Sequence, residues 1–536
     1  MISIPQRLLG EALFRSAKNF PSKTALIVKD KEYSYQLLKD HAEKLAGYFI
    51  KAGIKKGEPL AIYLDNSWEC IVSIYAATIS GGVFLVINPQ TKADKLNYIL
   101  NDCEAKILIT EQALKNQLTS ALKHTPHLKN VVMCGVNKAS LTVSVGQEII
   151  AIPHLQFHSF HDCISQKEEV VFPNIIPNDL AALIYTSGST GFPKGVMMTH
   201  QSMVFTCWSL IEYLRLSEED RIMLLLPLAF DYGLYQLLMS VTIGGTLIVE
   251  QSFIFTASIY KNIEKYRPTV FPGVPTVYAM MIASSKENNL SFDCIKKITS
   301  TAASLPADFH PPLKKIFPNA LIFKMYGLTE CKRVCYLEPE LVDEKPTSVG
   351  KAIPGTEVFL LSPEGDPIPA GEPGILHIRG PHVMLGYLNK KELTNEMLKD
   401  GKLPGERILC SNDWFKIDEE GFLYFLGRND DIIKSRGEKV SQIEIENVIY
   451  KINGVREVAV VGIPDKIMGE AIVVFATTDE HANLSEKDIQ RECMRHLESF
   501  MIPQKVIFLP EMPKSTNGKI EKKELKKMYN DEVVKI

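Results

Sequence analysis

The chain has 536 residues and a formal net charge of −3. A balance so close to neutral argues against the strongly basic face of a nucleic-acid binder. Hydrophobic residues make up 46% of the chain, enough to bury large cores, and the length suggests roughly three or four domain-sized units.

The N-terminal stretch "MISIPQRLLGEALF" lacks the long apolar core of a secretory signal. No uninterrupted run of about 18 apolar residues follows anywhere, so no membrane span is predicted. In "SYQLLKDHAEKLAGYFIKAG", Leu38, Ala42, Leu45 and Phe49 share one helical face, and Gly53 is placed to end the helix. "EPLAIYLDN" reads as a buried strand, "WECIVSIYAATISGG" as a helix and "GGVFLVINP" as another short apolar strand. Such alternation predicts βαβ units around mainly parallel sheets. Near Gly421 the texture changes: "GFLYFLGRNDDIIKSRGEKVSQIEIE" passes from an apolar strand into a polar stretch. "REVAVVGIPD" and "AIVVFATT" follow as strands, and Ser485 and Asp488 stand at capping-box spacing. The expected fold is therefore α/β: a large N-terminal domain of βαβ-type subdomains, then a small α+β C-terminal domain. Ten scattered cysteines without a CxxC pair fit free thiols in a reducing cytosol, so a cytoplasmic location is expected. Cys331 and Cys335 are the closest pair, but no second Cys/His pair lies at zinc spacing.

"YTSGSTGFPKG", Tyr185 to Gly195, combines glycines, hydroxyls and a lysine after an apolar run. Such a loop can turn backbone N–H groups and a lysine charge toward phosphate. It is not a Walker A loop, because Gly195 follows Lys194 where a magnesium-binding Ser or Thr is required.

The stretch closely resembles the phosphate loop of the adenylate-forming superfamily: acyl-CoA synthetases, stand-alone adenylation enzymes and firefly luciferase. "MYGLTE" (325–330) resembles the adenine and magnesium motif, and "SND" (411–413) stands where the family usually has Thr-Gly-Asp. "GRNDDIIKSRGEKVSQIEIE" resembles the hinge motif and "PKSTNGKIEKKEL" the C-terminal lysine motif. The motifs occur in family order over nearly the whole chain.

The resemblance implies domains at 1–429 and 430–536, the second mobile about Asp430 and carrying the catalytic lysine. It implies two steps: a carboxylate attacks the α-phosphate of ATP to give acyl-AMP and pyrophosphate, then a thiol displaces AMP. ATP and Mg²⁺ are the implied cofactors. Thr186, Ser187, Gly188, Ser189, Thr190, Gly191 and Lys194 would cradle the phosphates. Tyr326, with Gly327 after it, would stack on adenine. Thr329 would touch the α-phosphate and Glu330 would hold Mg²⁺. Asp413 and Arg428 would bind the ribose, and Lys519 would bridge the carboxylate and α-phosphate.

The acid is less directly written. In amino-acid adenylation domains an Asp placed like Asp231 binds the substrate's ammonium, and a buried carboxylate needs such a counterion. The other reading makes Asp231 a cap for a helix starting at Tyr232. Ser300, Lys332 and Arg333 fall near positions that line the acid pocket. The two cations suggest a further anionic group on the substrate or an unusual place for its carboxylate, as in enzymes for β- or acidic amino acids. An internal Arg333–Asp231 ion pair would favour a neutral acyl substrate instead. The expectation is an amino-acid ligase serving a separate acyl or peptidyl carrier protein through phosphopantetheine. The alternative is an acyl-CoA synthetase for a fatty or aryl acid.

Overall fold

The computed structural model describes residues 6–136, 144–145, 148–149, 154–165, 170–186, 193–251, 253, 256–428, 433–435, 438–465, 469–479, 482–497, 499–515 and 518–533. Ser187, Gly188, Ser189, Thr190, Gly191 and Asp430, all given roles above, lie outside the described residues. The chain divides into two compact units. One comprises Met1–Pro272, Leu328–Lys332 and Gly380–Lys399; the other comprises Gly273–Gly327, Arg333–Arg379 and Asp400–Ile536.

In the first unit the helical periodicity holds. Leu38, Ala42, Leu45 and Phe49 are all fully buried in the helix Tyr35–Lys51. The Ser34 hydroxyl accepts a bond from the Leu37 amide at the start, and Gly53 follows the end with φ +90°, a left-handed conformation that glycine takes without strain. Strand Pro59–Tyr63 lies between Val83–Ile87 and Ile107–Glu111, parallel to both. Helix Trp68–Ser80 makes the crossover that parallel pairing requires. Asn130–Cys134 and Gln156–Ser159 extend this sheet on one side, and Leu180–Thr186 pairs in parallel with Val83–Ile87 on the other. Two antiparallel strands complete that second side, Lys194–Thr199 and then Gly386–Tyr387. The apolar run before the glycine-rich stretch is thus a sheet strand, and the next strand in sequence, Lys194–Thr199, is its antiparallel neighbour.

A second set of strands in this unit, with Arg221–Leu224 parallel to Thr246–Val249, leads to helix Asp231–Ile243. Gly233 in its first turn is obligatory in space, since a Cβ there would lie 2.3 Å from the Pro227 carbonyl oxygen. That close approach fixes where Asp231 emerges.

In the second unit, Lys297–Ser300 and Leu321–Tyr326 pair in parallel, and Cys335–Leu337 returns antiparallel to the latter. An antiparallel sheet contains Glu357–Leu361, Gly374–Arg379, Arg407–Ile417 and Leu423–Arg428 in that order. The residues from Ile433 onward build the expected α+β arrangement with hydrophobic cores of their own. Along strand Val455–Asp465, Val458 and Val460 face a core with Ile445, Ile449, Ile489 and Cys493 from two helices. The alternate residues Ala459 and Val461 face Met512 and Leu525 on the opposite side. This alternation buries both faces of the strand, which pairs along one side with Gly469–Thr478 at the end of its sheet. The capping box forms as read: the Ser485 amide donates to Asp488 Oδ2 at 3.0 Å.

Candidate active site

In the first unit, Thr186 and Lys194 are directly paired across the antiparallel strands that flank the glycine-rich loop. Thr186 Oγ1 is buried and has no hydrogen-bond partner among the described residues. The Lys194 ammonium donates to the Tyr387 hydroxyl at 2.8 Å, and that hydroxyl donates to Glu330 Oε1 at 2.5 Å. The ammonium stands 3.6 Å from the same carboxylate oxygen and 4.1 Å from the centre of the Tyr387 ring. Short backbone pairing brings these groups together. Leu385 N–H donates to Met197 C=O, Leu388 N–H to Gly195 C=O and Met384 N–H to Glu330 C=O. Burial, with Glu330 beside it, pushes the Tyr387 phenol far above its ordinary value, so it stays protonated and donates. Thr329 is half-buried in the turn before Glu330. The buried Glu330 carboxylate is of the kind that suits magnesium, which takes one or two protein carboxylates and fills its shell with water and substrate phosphates.

In the second unit, Tyr326 ends its strand with its ring edge-on to Phe415 at 4.8 Å and tilted to Phe425 at 5.7 Å. Its hydroxyl donates to Asp413 Oδ2 at 2.5 Å. Asp413 is 6% exposed and directly paired across strands with Arg428, whose Nε lies 3.9 Å from Oδ1. The Arg428 side chain is 65% exposed, so that pair is screened and weak. The departure "SND" from the usual Thr-Gly-Asp has a structural answer. Asn412 adopts φ +56°, the left-handed region where glycine is at ease and asparagine is tolerated best among side-chain-bearing residues. The pairing register with Gly374–Arg379 shifts over these residues, and the resulting bulge aims Asp413. The Ser411 hydroxyl accepts from the Asp413 amide at 3.1 Å.

The residues assigned to the acid divide between the units. Asp231 and Lys332 belong to the first, Ser300 and Arg333 to the second. The capping reading of Asp231 needs correction: the helix begins at Asp231 itself, Phe230 is the N-cap, and no side chain caps it. Asp231 is 9% exposed and, among the described residues, has no hydrogen-bonded or ion-pair partner. Ser300 ends its strand with its hydroxyl buried and unpartnered among the described residues, as is that of the next residue, Thr301. Lys332 and Arg333 are both buried, Lys332 with φ +68°.

Lys519 is half-buried in the second unit. Its amide donates to Ser515 Oγ at 3.2 Å and its carbonyl accepts from the Ser515 amide at 2.7 Å. Gly518 beside it has φ +74°, and a Cβ there would sit 2.9 Å from Thr276 Oγ1.

Sequence reasoning missed Tyr387 and the two phenylalanines behind Tyr326. Tyr387 is one of 19 tyrosines, and its position depends on a strand pairing with residues far away in sequence. The one local signal is Gly386, which takes φ +142° just before it.

The AMP-binding enzyme family matches residues 13–388, and the AMP-binding enzyme C-terminal domain matches residues 444–519. The chain therefore belongs to the AMP-binding enzymes, within the adenylate-forming superfamily. It is 29% identical to a long-chain-fatty-acid–CoA ligase of Bacillus subtilis, over 98% of this chain and 95% of that ligase. It is 25% identical to a linear gramicidin synthase protein of Brevibacillus parabrevis, over 98% of this chain but 6% of that much longer protein. In structure it is similar to the anthranilate CoA ligase AuaEII solved with anthranoyl-AMP. That match has a TM-score of 0.87 and 25% identity, and it covers 97% of each chain. Among the described residues, no helix is long and apolar enough to cross a membrane.

Proposed function

We propose that this protein uses ATP to activate a carboxylic acid as its acyl-adenylate and then passes the acyl group to a thiol. Carboxylate oxygen forms a bond to the α-phosphorus as pyrophosphate leaves; the thiol sulfur then bonds the acyl carbon as AMP leaves. Both first-step partners are anions, so their approach needs positive charge and fixed orientation. Lys194, with Thr186 and the loop that follows, would take the β- and γ-phosphates. Magnesium at Glu330 would offset the remaining phosphate charge. Tyr326 would present its ring to adenine while its hydroxyl holds Asp413, whose other oxygen would accept from the ribose. Lys519 would bridge the carboxylate and α-phosphate, on a domain from 430 onward that pivots at Asp430 between the two steps.

For the acid we propose one that carries an amino group. The observation that supports this is Asp231: a buried carboxylate at a helix start, with no cap bond and no ion-pair partner among the described residues. The helix dipole stabilises such a charge by only about 0.3–1 kcal/mol, too little to offset its desolvation. A substrate ammonium would complete the balance. The buried Ser300, Lys332 and Arg333 would then meet polar or anionic parts of the acid. A carrier-protein thiol remains the proposed acceptor.

A second reading, a CoA ligase for a fatty or aryl acid, draws support from a relative matched along nearly its whole length being a CoA ligase. Pyrophosphate exchange with matched amino and des-amino acids, followed by CoA or carrier-bound phosphopantetheine as acceptor, tests both readings.

A further inference from the structure

Lys194, Tyr387 and Glu330 all lie in the first unit and touch one another directly. The geometry points to Tyr387 as a positioning residue that latches Lys194 onto Glu330 until nucleotide arrives. This rests on the functional reading above, in which Lys194 and Glu330 serve the nucleotide.

Competing demands fall on the same three side chains. Lys194 has a hydrogen bond to the phenol oxygen, the face of the same ring and a carboxylate 3.6 Å away. Glu330 Oε1 in turn accepts a hydrogen bond from the phenol hydroxyl at 2.5 Å. One hydroxyl therefore receives from the cation and donates to the anion, bridging a pair too far apart for a direct hydrogen bond. If Lys194 is to reach phosphate and Glu330 a magnesium ion, each must give up part of this arrangement. Tyr387 is 2% exposed and held by strand pairing to Val196, so the lysine, the longest and most flexible of the three, is the member that swings away. Lys194 keeps 22% of its side chain exposed, an open route for that movement. The latch keeps a carboxylate and an ammonium mutually satisfied in a partly buried place, where an unpaired charge would be costly.

A latch and a scaffold predict opposite signs. Tyr387→Phe keeps the ring, the strand and the cation–π contact but removes the bridge. If Tyr387 is a latch, the variant loses a ligand-free interaction that opposes binding. ATP with Mg²⁺ should then bind about three- to tenfold more tightly by calorimetry, the size of one net hydrogen bond. A scaffold role predicts weaker binding. The second readout is labelling of Lys194 by an amine-reactive acetylating reagent, followed by mass spectrometry on ligand-free protein. Labelling should be at least about threefold faster in Tyr387→Phe, and faster again in Tyr387→Leu, which also removes the ring. Unchanged Lys194 labelling in both variants, or weaker ATP binding in Tyr387→Phe, overturns the latch. The functional reading fails separately: it fails if ATP with Mg²⁺ does not protect Lys194 from labelling in the unaltered protein.

Discussion

Asp231→Asn is the substitution that most sharply separates the candidate acids. Asparagine keeps the shape of the side chain and removes its charge. At 9% exposure, a pair between Asp231 and a substrate ammonium would be largely out of water. Breaking such a pair from one side costs about 3–5 kcal/mol. At about 1.4 kcal/mol per decade, kcat/KM for an amino-acid substrate should fall at least about a hundredfold. The matched des-amino acid should be a poor substrate for the unaltered protein, because it would leave Asp231 buried and unpaired. The variant should discriminate far less between the two. Without ligand, the variant should be at least as stable as the unaltered protein, because relief of the buried charge's desolvation outweighs the lost interaction with the helix dipole. The assay is ATP–pyrophosphate exchange with amino and des-amino acids on both proteins. An unchanged acid preference, with activity intact, would refute the ammonium role and favour a fatty or aryl acyl-CoA ligase.

Three further substitutions test the rest of the site. Lys519→Ala should retain ATP binding yet slow adenylation by about 10²–10³, while thioester formation from preformed adenylate suffers much less; equal loss in both half-reactions, measured separately, would remove its bridging role. Asn412→Ala should cost about 1–2 kcal/mol by chemical denaturation, because alanine resists the φ of +56° observed there, and should raise KM for ATP as Asp413 shifts. Asn412→Gly should leave stability within about 0.5 kcal/mol, so equal behaviour of the two variants would discount the bulge. Tyr326→Phe removes one hydrogen bond to the buried Asp413 carboxylate, which should lower stability by about 1.5–3 kcal/mol and weaken ATP binding; no change in either, by denaturation and calorimetry, would make the 2.5 Å contact inconsequential.

Much of the architecture could be read from local pattern. The helix Tyr35–Lys51 and the strand Pro59–Tyr63 appear where periodicity put them, because burial of one face or both leaves a signature in adjacent residues. The α+β arrangement after Ile433 was legible for the same reason. The site was legible only in part. Motifs single out Lys194 and Glu330, but none singles out Tyr387, since the bond joining it to Lys194 spans 193 positions. No periodic signal carries a contact of that range. Asn412 departs from the family pattern in residue identity, yet its φ of +56° is a conformation that glycine takes without strain. The capping role expected of Asp231 fails by one residue, because the helix starts at Asp231 and Phe230 is its N-cap.

The most direct test of the proposed activity is acid-dependent exchange of pyrophosphate into ATP by the purified protein with Mg²⁺ across a panel of carboxylic acids. The panel should include α- and β-amino acids, acidic amino acids, aminobenzoates, fatty acids and their des-amino or neutral counterparts. The proposed site predicts exchange that requires an acid, is strongest with a member bearing an amino group, and drops by about 10²–10³ in Lys519→Ala. Exchange confined to acids without an amino group would keep the adenylation chemistry and contradict the role of Asp231. No acid-dependent exchange with any member would contradict the proposed activity itself.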